Sequence, residues 1–249
     1  MAKIRHLARA PIREAIIDLQ FQPQASLETV DRFAADFASS SDKVTDLWAS
    51  TIELKVEAGG VHHAQTGSRI GKRVDLEDGK HVVQLHRSGF TFSRLPSYES
   101  WESMSASAQQ VWSRYFALVQ PAEVVRIAVR FINALRVPMP LSDFDEYLTY
   151  APQLPPDLPQ SLSGFLNRVV INDQANGDFA IVTQMLEGET ADHTGLNVLI
   201  DIDVSHPCQL VTTDEQQITT ILNRLRDTKN KAFFGFLEEK ILEQYEWPS

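Results

Sequence analysis

The sequence predicts an α+β protein in which two copies of a β-α-β-β-β-α unit form a curved, mainly antiparallel sheet packed against long amphipathic helices. Three observations carry this expectation. Several short segments alternate apolar and polar residues with the period of a half-buried strand. Two long segments place apolar residues at helical spacing instead. The order of strands and helices then recurs with an offset of about 110 residues.

In the first half, Ala15, Ile17, Leu19 and Phe21 alternate with Glu14, Asp18 and Gln20, and Pro23 ends the strand. Ser26 is placed to cap a helix bearing Leu27, Val30, Phe33, Ala34 and Phe37, which the serine run at 39–41 closes. Three strands are expected next. The first covers 48–56, with Ile52, Leu54 and Val56 on one face, and Gly59-Gly60 breaks it. The second covers 69–76 and ends at the hairpin dipeptide Asp78-Gly79. The third covers 81–94, with a bulge or turn at Ser88-Gly89. After Pro96 comes a helix capped near Ser97 or Ser100. Its stripe is Trp101, Met104, Ala108, Val111, Trp112, Tyr115, Phe116 and Val119, and Pro121 lies just beyond its end.

The second half repeats that order. Val125, Ile127, Val129 and Phe131 form one face of a strand, opposite Arg126, Ala128 and Arg130. A short helix is expected at 142–150, then an extended loop at 152–159, whose four prolines cannot continue a helix. Strands follow at 162–171, 179–186 and 196–204, the first two joined through Asn176-Gly177. Thr213 and Gln216 read as a capping box for a last helix reaching Glu246, roughly 50 Å long at 1.5 Å per residue. Identity between the halves, 1–122 and 123–249, is slight, so the repeat is one of architecture, and the two can also be read as one continuous domain. Joined edge to edge, they leave a sheet face, or the space between sheet and helices, free as a cavity.

Composition narrows the function classes. At 249 residues, 43% hydrophobic and 22% charged, the chain can bury a core without a disulfide or metal. Its one cysteine, Cys208, cannot form an intramolecular disulfide and fits a reducing compartment. There is no run of 18 apolar residues, and the basic N-terminal stretch lacks the apolar core of a secretory signal. A cytoplasmic protein without a membrane partner is expected. Residues 1–122 carry 14 basic and 14 acidic residues, whereas 123–249 carry 9 and 19, so the net charge of −10 belongs to the second half. With no Lys/Arg stripe, direct nucleic-acid binding is not expected. The acidic half reads as a solubilising surface or, more sharply, as a docking face for a basic protein.

One resemblance rests on specific blocks. These are Arg9-Ala10-Pro11-Ile12-Arg13-Glu14-Ala15-Ile16, Gly89-Phe90 through Arg94-Leu95, Tyr98-Glu99 and Trp101, Arg126 through Asn133, and the aromatic cluster Phe233 to Phe236. Together they resemble a sporadically distributed family of uncharacterised bacterial proteins of about this length. The resemblance covers the whole chain and implies no catalytic residues. The patchy distribution implies a context of mobile elements, toxin–antitoxin pairs or antiviral defence.

Each candidate site has a structural role that competes with a functional one. His62-His63 point to opposite faces of a strand, as do His81 and His86, and no metal-ligand spacing is present. Gly67 through Arg73 lacks phosphate-loop spacing, Ser205-His206 lacks a nucleophile motif, and Cys208 reads as a small apolar residue. Asp201 and Asp203 share one face of their strand, and Arg126 and Arg130 share one face of theirs. Cross-strand pairing is the simpler reading, and a ligand-binding site for a carboxylate or phosphate is the sharper one. Phe233, Phe234 and Phe236 spread around more than half a helix, so at least one is expected at an interface.

The first functional expectation is a non-enzymatic protein-binding or self-assembling module, homodimeric or bound to a protein partner, in bacterial defence or toxin neutralisation. The alternative is a small-molecule binding protein holding a hydrophobic or anionic ligand in a pocket between sheet and helices. An enzyme using Asp201, Asp203, Arg126 and Arg130 ranks third. No cofactor is expected.

Overall fold

The computed structural model describes residues 2–57, 60–211 and 214–246, and their side chains except over 51–66. Strand β1 (Ile12–Gln22) lies at the centre of the sheet. Its alternation turns Ala15, Ile17, Leu19 and Phe21 into the core, where all four are almost fully excluded from solvent. One edge of β1 pairs with β5 (Gly89–Arg94) and the other with β6 (Glu123–Pro138). Beyond β5 lie β4 (His81–His86), β3 (Gly60–Asp75) and β2 (Lys43–Glu57). Beyond β6 lie β9 (Gly195–Val211), β8 (Asp178–Glu189) and β7 (Leu166–Asp173). The described residues thus form one nine-stranded open sheet, antiparallel at every junction.

Helices α1 (Leu27–Phe37), α2 (Trp101–Val119), α3 (Glu215–Gly235) and the short α4 (Glu239–Leu242) add their apolar residues to a single continuous core. Ser26 caps α1 by accepting from the Thr29 N–H at 3.0 Å, and Ser100 caps α2 by accepting from Ser103 at 3.1 Å. Seven members of the predicted α2 stripe, from Trp101 to Phe116, are buried. Ion pairs join α1 to the β2–β3 hairpin, with Arg69 2.8 Å and Lys72 3.9 Å from Asp31, and Lys72 also pairs across the hairpin with Asp46 at 2.7 Å. The mixed α+β class and the antiparallel sheet are therefore as expected, with the sheet dominant.

Several elements differ from their sequence readings. The strand expected at 81–94 with a bulge or turn at Ser88-Gly89 is a hairpin, β4 and β5, whose turn falls one residue earlier, at Arg87-Ser88, where the backbone meets Ile70, Phe21 and Ala25. The helix expected at 142–150 is a single 3-10 turn, Phe144–Glu146, after which Leu148 bridges Leu237 as extended backbone. That same bridge ends the last helix. Glu238 N–H bonds the Tyr147 carbonyl and Thr149 N–H bonds that of Phe236, so α3 stops at Gly235, 21 residues and about 31 Å from its start. Asp214 caps α3 by accepting from Gln217 at 3.0 Å. The expected cap Thr213 lies outside the described residues, as do the break at Gly59 and the side chains of Ile52, Leu54, Val56, His62 and His63.

Candidate functional site

The residues singled out by charge meet on the sheet face away from the helices. Strand register sets Arg130 opposite Asp203 and Ile132 opposite Asp201. Arg130 forms a two-pronged pair with Asp201, Nε to Oδ1 at 2.8 Å and Nη2 to Oδ2 at 2.5 Å. Arg126 donates to Asp18 at 2.8 Å and lies 3.4 Å from Asp203, while Thr91 donates to the second oxygen of Asp18 at 2.9 Å. This makes a polar ladder across β5, β1, β6 and β9. Burial pushes the Asp203 carboxyl above its usual range, against the pull of Arg126 and Arg130. The structure brings all four predicted residues together, and each arginine is already occupied by carboxylates of the chain itself.

Phe233 and Phe234 are buried, with their rings edge-on at 5.2 Å. Phe236, beyond the end of α3, is half-buried against Tyr150 at 6.0 Å. The expectation of an interface built on these rings took the helix to continue through 236. Within the chain Phe233 and Phe234 pair with each other inside α3, and Phe236 meets Tyr150 just beyond its end. Ser205 and His206 face opposite sides of β9. The His206 ring nitrogen lies 2.9 Å from Asp178, whose buried carboxylate also holds Arg224 of α3 at 2.8 and 2.9 Å. Cys208 donates to the Val124 carbonyl at 3.4 Å, and burial pushes its thiol up, which disfavours the nucleophilic thiolate.

The same segments build a pocket of about 430 Å³ on the helix side. One wall is the N-terminal arm from Ile4 to Ile12, the second is the start of α2, and the third is α3 from Arg226 to Phe234, with Asn133 of β6 reaching it from the sheet. The arm is tied down along its length. Ala2 N–H bonds the Leu237 carbonyl at 2.8 Å, Arg5 pairs with Glu239 and Glu246, and Arg9 N–H bonds the Tyr245 carbonyl at 3.0 Å. Trp101 is fixed through its indole N–H, which donates to Asn223 at 2.7 Å. Asn133, itself buried, donates to the carbonyls of Phe131 and Ile200.

Lys229 is the unusual member of this pocket. Only 8% exposed, its amine sits 3.8 Å from the centre of the Phe131 ring and donates to Asn230 at 2.6 Å. Tyr98 meets the same ring edge-on at 5.6 Å. Among the described residues no carboxylate pairs with Lys229. Glu99 is taken by Arg94, and both Asp227 and Glu102 lie against Arg226. Burial, with Arg226 adding to it, pushes the Lys229 amine down to about 7. The sequence reading passed over this residue, although a signal existed. Ile218, Leu222, Leu225, Lys229 and Phe233 follow one stripe of α3, so the lysine occupies a core position.

Fold and site together define an α+β protein with an open antiparallel sheet and a lysine-bearing pocket under its helical side. No family model and no curated protein sequence matches this chain. Among the described residues no helix is long and apolar enough to cross a membrane, and no three His, Cys, Asp or Glu side chains gather as a metal site.

Proposed function

We propose that this protein binds a small organic molecule in the pocket beside Lys229. One observation carries the reading: a buried lysine without a carboxylate partner lines a cavity of about 430 Å³, a volume suited to a small ligand. An isolated buried ammonium is unfavourable unless something compensates it. A ligand with one electron-rich head group supplies that compensation, and Trp101, Phe233 and Phe234 offer an apolar wall for its body. The blocks that carry the family resemblance contribute Ala10, Pro11, Tyr98, Trp101, Asn133 and Phe233 to this one pocket. The test is a thermal-shift and native-mass screen with phenyl-substituted carboxylates, aldehydes and ketones. Binding to the wild type, and loss of it in the pocket-filling variant Ala10→Trp, is expected. No binder in either assay counts against the reading.

A second reading, self-association, is favoured by β7. This edge strand has an unpaired side, and Leu166 and Val170 are 63% and 57% exposed. Antiparallel pairing with β7 of a second copy is self-complementary by symmetry. A solution mass of two chains that falls to one in Val170→Lys supports it, and a monomeric wild type removes it.

We also read the halves as one duplicated unit. In support, β1 and β6 adjoin at the centre, the last strand of each half (β5 or β9) flanks them, and a long helix follows each half. The copies are unequal, with four strands after α1 and three after the 3-10 turn.

A further inference from the structure

We infer that Lys229 is a reactive amine that forms a reversible imine with an aldehyde or ketone admitted to the pocket. The inference rests on the pocket reading and goes beyond it, because it assigns chemistry to one atom. Imine formation needs a neutral, accessible amine held next to space for a carbonyl carbon. The pocket that Lys229 lines supplies the space, and four features bear on the charge and position of the amine.

First, Lys229 is buried, which disfavours the ammonium form. Second, the charge that acts on it from α3 is Arg226, a like charge. Third, the acidic groups around the pocket are occupied elsewhere: Glu99 by Arg94, and Asp227 and Glu102 by Arg226. The arm contributes Arg5 and His6, and β6 contributes the neutral Asn133, so among the described residues no wall adds a free carboxylate. Fourth, the Asn230 oxygen accepts from the amine at 2.6 Å and fixes its position over the Phe131 ring. The ring works in the opposite direction by favouring the cation. In water roughly one lysine in a few thousand is neutral at pH 7, whereas an amine titrating near 7 is neutral about half the time.

The step balances without an oxidant or reductant. The nitrogen lone pair attacks the carbonyl carbon, the C–N bond forms, and the C=O π pair moves to oxygen, which takes up a proton. The carbinolamine nitrogen has by then given up one proton; its oxygen takes a second proton and leaves as water while the nitrogen lone pair forms C=N, and the iminium releases its last N–H proton, so the two hydrogens lost by the amine balance the two in the water. Hydrolysis runs the same path backwards.

The test uses the full chain with benzaldehyde and sodium cyanoborohydride at neutral pH, followed by peptide mapping. One benzyl group on Lys229, added about tenfold or more faster than on Lys43, Lys72, Lys80, Lys231 or Lys240, is the expected result. Mapping separates this label from any on the α-amino group. The rate is expected to rise as pH passes through 7 and to level off above it, a profile a purely structural lysine would not give. Lys229→Arg keeps the charge and cannot form the imine, so it must lose the label while its circular dichroism stays that of the wild type. Labelling of Lys229 no faster than that of the surface lysines overturns the inference. If carboxylates still bind in that case, the pocket reading survives; if nothing binds, both fall.

Discussion

The amine of Lys229 lies 3.8 Å from the centre of the Phe131 ring, one residue on the last long helix and the other on a central strand of the sheet. This contact joins the two layers beside the pocket that Lys229 lines. It also puts a charge where the helical stripe calls for an apolar side chain. The protein carries a stability penalty there that a purely structural position would not retain.

That penalty has a pH signature. The folded Lys229 amine titrates near 7, below its unfolded range near 10.5. Between those values the unfolded chain binds more protons than the folded one, so stability rises with pH across that window. The full penalty, on the order of 4–5 kcal/mol at most, applies below pH 7. Lys229→Met is expected to raise stability at pH 6 by about 2 kcal/mol and to flatten the rise between pH 7 and 10, as read by urea denaturation.

Ion pairing on the open face of the sheet accounts for Arg130 and Asp201, and it is expected to be modest in energy. Both side chains retain some exposure, so a double-mutant cycle with Arg130→Ala and Asp201→Ala should give a coupling of about 0.5–1 kcal/mol that shrinks at high salt. A coupling several times larger would mark this pair as a buried network with a role beyond the sheet.

Gly71 of β3 lies hard against the β4 backbone. A Cβ placed there would lie 2.0 Å from the Leu85 carbonyl oxygen, which is backbone and cannot move aside cheaply. Gly71→Ala is expected to destabilise by about 2–3 kcal/mol, or to prevent folding, whereas Gly164→Ala, with open space around it, should change little. Paired melting curves decide between these outcomes.

The phenylalanines at the end of α3 separate by burial. Phe234→Ala removes a ring from the core and should cost about 3–5 kcal/mol, while Phe236→Ala, at a half-buried turn against Tyr150, should cost about 1 kcal/mol. Neither is expected to change the solution mass of the folded protein. A change in mass with stability intact would return these rings to an interface.

What the sequence by itself determined was local. Alternation at Ala15 to Phe21 and at Leu196 to Val204, the stripe from Trp101 to Phe116, and caps at Ser26 and Ser100 follow from periodicity and backbone satisfaction, which neighbours in the chain already encode. The arginine–aspartate pairing was legible for the same reason, since shared strand faces limit what those side chains can reach. Tertiary structure alone decided three things. Pairing of Leu148 with Leu237, residues 89 apart, ended α3 before Phe236. The turn at Arg87-Ser88 became a hairpin because β1 and β3 lay close enough to take its hydrogen bonds. Lys229 became a pocket residue because burial depends on every layer packed around it: the arm, the start of α2 and the ring of Phe131 meet only in the folded chain. Periodicity marks which face of a helix is buried, whereas the loss of solvent that lowers a lysine's pKa is a property of the whole packed site.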